Sequence, residues 1–130
     1  MALGNASRVV SNIPKREVCG VWTGGGAAAD CTHTSTDWSR GISAVAYNAA
    51  TGKYRITLTE AGQQLLPGSH IEICRADGAS PLLANIVRST LDSDSVDFEV
   101  WDVDSASALT DLDTTDKVLI NLVFATASFG

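Results

Sequence analysis

Residues 41–59 constrain the fold more than any other stretch of the chain. Two short β-prone runs, with Tyr47 before the break and Tyr54 after it, are joined by a small turn-rich segment ending at Gly52. In the second run Tyr54, Ile56 and Leu58 fall on one face, and Lys53, Arg55, Thr57 and Thr59 on the other. That period of two belongs to a half-buried strand, so the stretch predicts a β-hairpin.

The pattern continues downstream. Residues 69–76 alternate with Ile71 and Ile73 on one side, ending at the turn signal Asp77-Gly78-Ala79-Ser80-Pro81. Residues 82–91 predict a fourth strand, with Leu83, Val87 and Leu91 suggesting partial burial on both faces. In 96–103, Val96, Phe98 and Val100 face in while Asp97, Glu99 and Trp101 face out. A long polar connection anchored by Leu109 and Leu112 leads to 117–126, where Val118, Ile120, Leu122 and Phe124 form the best core face in the chain. Between the hairpin and the third strand, a Thr cap, Leu65-Leu66 and the stop Pro67-Gly68 predict one or two turns of helix or a tight loop. Six strands without a long helical period predict an all-β fold: an antiparallel β-sandwich or a β-barrel of jelly-roll-like form.

Residues 1–40 neither alternate nor show a helical period, and contain Pro14, the run Gly24-Gly25-Gly26 and a polar Thr-rich cluster. They predict an irregular, extended N-terminal arm (1–40) ahead of a β domain (41–130). Its apolar side chains, among them Val9, Val10, Ile13, Val18, Val21, Trp22 and Trp38, exceed what a solvated tail carries. They call for a surface, either the chain's own core or a neighbouring subunit.

A length of 130 residues suits one domain with its own core. The net charge of -6 argues against a phosphate-neutralising surface, so nucleic acid is not expected as a partner. The acidity sits in residues 41–130, with five basic and twelve acidic side chains, and reads as solubility, as repulsion between copies, or as attraction to a basic partner. Three cysteines, Cys19, Cys31 and Cys74, form no closed disulfide framework and fit folding in a reducing cytoplasm. Neither a signal peptide nor a membrane span is expected.

Catalytic and metal chemistry find little support. Cys19, Cys31 and His33 lack zinc-knuckle spacing and a fourth ligand. Three aspartate groups, Asp92 with Asp94 and Asp97, Asp102 with Asp104, and Asp111 with Asp113 and Asp116, could hold calcium only loosely. Counted from Asp92, an EF-hand would need a glycine at Asp97 and a glutamate at Val103. Neither His33 nor His70 sits by a nucleophile elbow, and the glycine run matches no phosphate loop. Trp22, Trp38 and Trp101 with Tyr47 and Tyr54 could form a sugar-stacking platform, though core packing accounts for most of them. No cofactor or metal site is expected.

Gly41 to Tyr47, the turn at Gly52, the run Tyr54-Arg55-Ile56-Thr57-Leu58-Thr59, Leu65-Leu66, Val96 to Trp101 and Val118 to Phe124 together set a rhythm over residues 41–126. It resembles that of small tailed-bacteriophage proteins encoded near the major capsid protein, the capsid decoration or cement proteins. The resemblance implies a structural, non-enzymatic virion protein without a cofactor. It would be made in the bacterial host cytoplasm and seated on the capsid surface as a homotrimer or homodimer bound to the major capsid protein. On this reading the arm supplies inter-subunit or capsid contacts, with Val9, Val10, Ile13, Val18, Trp22 and Trp38 as anchors. The rival readings are a phage tail or head-fibre protein binding host glycans, and a small enzyme using His33 or His70.

Overall fold

Among the described residues the chain forms ten strands: β1 (Lys15–Thr23), β2 (Ser39–Arg40), β3 (Ile42–Tyr47), β4 (Lys53–Leu58), β5 (Gln64–Leu65), β6 (His70–Cys74), β7 (Leu82–Ile86), β8 (Ser95–Asp102), β9 (Ala108–Leu109) and β10 (Lys117–Ala125). The structure, a computed structural model, describes residues 14–61, 64–87, 94–104 and 108–126, and no helix forms among them. One sheet runs β2-β1-β10, with β5 and β6 sharing the far edge of β10; the other runs β3-β4-β8-β7, with β9 on the end of β8. Every pairing is antiparallel. The sheets pack together without closing on each other, so of the two expected forms the fold is the β-sandwich.

The inner faces follow the expected alternation. Tyr54, Ile56 and Leu58 of β4 and Val96, Phe98 and Val100 of β8 meet Val118, Ile120, Leu122 and Phe124 of β10 in one core. Each large side chain so buried contributes about 1.5–3 kcal/mol of transfer free energy before conformational entropy is counted. Tyr54 lies near its centre, stacked on Phe98 with ring centroids 5.4 Å apart and edge-on to Tyr47 at 5.9 Å. Its hydroxyl accepts the backbone N–H of Leu112 at 2.9 Å, which ties the fully buried Leu112 to the hairpin. Leu112 thus anchors the connection before β10 in the core.

Where an irregular arm was expected over 1–40, Lys15–Thr23 forms the strand β1. Nine of its residues pair with β10 along the whole strand, Lys15 opposite Ala125 through Thr23 opposite Lys117. Alternation is present but concealed: Val18, Gly20 and Trp22 point inward, yet Gly20 has no side chain to mark the face, and Val21 puts an apolar side chain on the outer one. A Cβ at Gly20 would lie 2.7 Å from Ser39 Oγ, so a side chain there requires Ser39 to shift. Two further expectations change. In the connection after the hairpin, the described residues form the short strand β5 and a turn at Gly68, with no helical turn. In β7, Leu82, Ala84 and Ile86 pack against the core, and Leu83 is 57% exposed. Leu91 and Asp92 lie outside the described residues.

Gly41 is the junction between the layers. Its φ of +82° turns the chain out of β2, in one sheet, into β3, in the other. That backbone region is strained for a residue with a side chain.

Candidate interaction surface

The outer face of the β3-β4-β8-β7 sheet is divided in two. Over one half the exposed side chains carry charge: Arg55 Nε and a terminal guanidinium nitrogen donate to both carboxylate oxygens of Asp97 at 2.8 and 3.1 Å, and Lys53 sits opposite Glu99. Over the other half the register aligns Leu83 of β7, Trp101 of β8 and Leu109 of β9 directly across three strands. Cross-strand partners share a face, so these three form one apolar row on the outside. Val103, two residues beyond Trp101, is 51% exposed. A contiguous apolar row on an outer sheet face is the usual mark of a binding surface.

The six residues expected to make contacts separate into three groups. Val18 and Trp22 are buried in the chain's own core, at 1% and 7% exposure, where Trp22 Nε1 donates to Ser39 Oγ at 3.3 Å. Trp38 is 60% exposed. Val9, Val10 and Ile13 lie outside the described residues. The row of Leu83, Trp101 and Leu109 was not singled out by sequence reasoning. Trp101 was visible there as outward-facing, but the register that brings Leu83 and Leu109 beside it is a long-range property. The sugar-stacking set is dispersed: Trp22 and Tyr54 are core residues, whereas Trp38 stands exposed.

The ionisable groups serve the scaffold. Arg75 donates from Nε to Asp116 Oδ1 at 2.9 Å, from a terminal nitrogen to Asp113 Oδ2 at 2.8 Å, and from the other to the Ser80 carbonyl at 2.8 Å. Asp116 is 1% exposed, and its second oxygen accepts the Asp113 N–H at 2.8 Å. These bonds hold the Arg75 guanidinium above its ordinary value, the bond to Asp116 contributing most. Asp111 accepts the N–H of Gly52 at 2.8 Å and of Ala28 at 3.0 Å, and Asp30 accepts that of Tyr47 at 2.8 Å. Asp30 and Asp111 thus staple loops to strands.

Among the described residues, no group of three or more His, Cys, Asp or Glu side chains is placed to hold a metal ion. Cys31 is buried, and burial, with Asp30 beside it, pushes its thiol up to about 12. Cys19 is also raised, by burial and then Glu17. Neither is poised as a thiolate nucleophile. His33 packs on Trp22 with ring centroids 4.9 Å apart, and His70 lies exposed at the start of β6. No described helix is long and apolar enough to cross a membrane.

An open cleft of about 510 Å³ lies beside the first residues of β1, lined by Lys15, Arg16, Glu17, Val18, Arg40, Gly41, Thr59 and Glu60. Arg16 closes its inner end: the guanidinium lies over the Phe124 ring, 5.6 Å from the centroid, and donates to Glu60 Oε2 and to the Glu60 carbonyl, each at 3.0 Å. Its Nε is buried without a hydrogen-bond partner among the described residues. No family model, curated protein or solved structure matches the chain.

Proposed function

We propose that the chain is a structural, non-enzymatic virion protein of a tailed bacteriophage, a decoration or cement subunit. In this reading it binds the outside of the head as a homotrimer and stabilises contacts between major capsid protein subunits. The supporting observation is the outward row of Leu83, Trp101 and Leu109, with Val103 beside it, which no other strand covers among the described residues, carried on a two-layer sandwich. Covering such a row contributes about 25 cal/mol per Å² of apolar area, less the cost of association. One copy binds modestly, and many copies on a lattice reinforce the shell together. The net charge of -6 keeps free copies apart before assembly. Among the described residues of the N-terminal stretch, Trp38 is the exposed anchor.

The test is co-sedimentation with phage heads stripped of minor proteins, after the mass of the free protein has been fixed by light scattering. A trimer that pellets at a constant ratio to the major capsid protein supports the reading. A chain that ignores heads at saturating concentration removes it and favours the tail or fibre alternative.

A further inference from the structure

The cleft beside β1 contains an open strand edge. In an antiparallel strand, one residue's N–H and C=O point to the same side, and successive residues alternate sides. Val21 N–H donates to the Trp38 carbonyl at 2.8 Å and Thr23 N–H to the Thr32 carbonyl at 2.9 Å, so odd-numbered residues of β1 point away from β10. Cys19 is paired in the same series with Arg40. The next two members are Glu17 and Lys15. They find no partner strand among the described residues, because β2 ends at Arg40 and Gly41 diverts the chain into the other sheet. Two rungs of backbone donors and acceptors are left facing a cleft.

The charge around these rungs selects what can occupy them. Arg40 shares the outer face with Cys19, and Lys15 and Glu17 lie on that same face. Neither Lys15 nor Arg40 has an ion-pair partner among the described residues. Arg16 and Glu60 neutralise each other. The edge thus carries two cations against the single carboxylate of Glu17, on a chain whose net charge is -6.

We infer that the edge of β1 at Lys15–Glu17 is a β-augmentation site for a short extended segment of a partner protein bearing acidic side chains. The incoming strand continues the line of β2 beyond Arg40 and exchanges backbone hydrogen bonds with Lys15 and Glu17. Backbone pairing supplies the attachment, and Lys15 and Arg40 supply the preference for acid. The site is independent of the virion reading, since it rests on the edge and its charges alone.

Hydrogen exchange of the full chain, read by NMR at the amides of β1, tests it. The probe is a capped peptide Thr-Glu-Val-Glu-Val-Thr, compared with the same peptide carrying Lys for Glu. In the free chain the Lys15 and Glu17 amides should exchange fast while Arg16 and Val18, bonded to β10, stay protected. The acidic peptide should slow Lys15 and Glu17 by about tenfold or more, and the lysine peptide should not. Glu17→Pro, which removes an N–H from the free edge and none from the β10 ladder, should abolish the effect. Lys15→Glu combined with Arg40→Glu should weaken it without touching the backbone. Overturning results are protection of Glu17 in the free chain, which means the chain itself or a second copy covers the edge; no protection by the acidic peptide at millimolar concentration; or equal protection by both peptides. None involves phage heads, so failure here and failure of head binding are told apart.

Discussion

Tyr54 concentrates the physical logic of the chain in one side chain: a fully buried ring stacked on Phe98, with its hydroxyl spent on the Leu112 amide. Tyr54→Phe keeps the ring and orphans a buried N–H, so we expect a loss of about 1–3 kcal/mol in chemical denaturation. Burial raises both the Tyr54 phenol and the Cys31 thiol to about 12, from ordinary values of 10.0 and 9.0. A raised folded value means the folded state holds its protons longer than the unfolded one. The resulting stability is complete below the ordinary values and is lost as pH climbs towards 12. Unfolding midpoints should therefore fall from about pH 9 upward, and Tyr54→Phe with Cys31→Ala should flatten that decline. The inward faces of Tyr54, Phe98 and Leu122 were legible from alternation. That Tyr54 would bind Leu112, a partner far along the chain, was not, because hydrogen-bond partners across a core depend on how the sheets stack.

At the scale of elements, two devices hold the strands in their layers. Arg75, just after β6, clamps Asp113 and Asp116 just before β10, with Asp116 buried. Arg75→Ala leaves a buried carboxylate uncompensated and should cost about 3–5 kcal/mol. The double variant with Asp116→Asn should recover part of that in a double-mutant cycle, since it removes the stranded charge. Gly41→Ala meets both a φ of +82° and Val18 Cγ2 at 3.0 Å, and should lower stability by about 1–3 kcal/mol in thermal unfolding. The hairpin β3–β4 and the strands β6, β8 and β10 could be read from the sequence because each shows its own period. β1 could not, because Gly20 and Val21 mask its faces, and β2, β5 and β9 are only two residues long and exist through their partners. The sequence separates an arm from a body at residue 40, whereas β1 pairs along its full length with β10 at the other end of the chain. Propensity windows see neighbours in sequence, and this pairing spans nearly the whole of it.

At the scale of the whole molecule, the apolar row across β7, β8 and β9 and the edge of β1 at Lys15–Glu17 are both without a covering strand among the described residues. The row was illegible because it is assembled by register from Leu83, Trp101 and Leu109, each unremarkable alone. Trp101→Ser with Leu83→Ser changes outward-facing positions, so it should leave the unfolding midpoint nearly unchanged while stripping the row. The most direct measurement is therefore co-sedimentation of the intact chain and of this double variant with stripped phage heads, at equal concentrations and over a range reaching saturation. The intact chain should pellet at a fixed ratio to the major capsid protein, with the folded double variant needing at least about tenfold more protein for the same occupancy. Equal pelleting of both would detach head binding from the row, and pelleting of neither would contradict the virion reading itself.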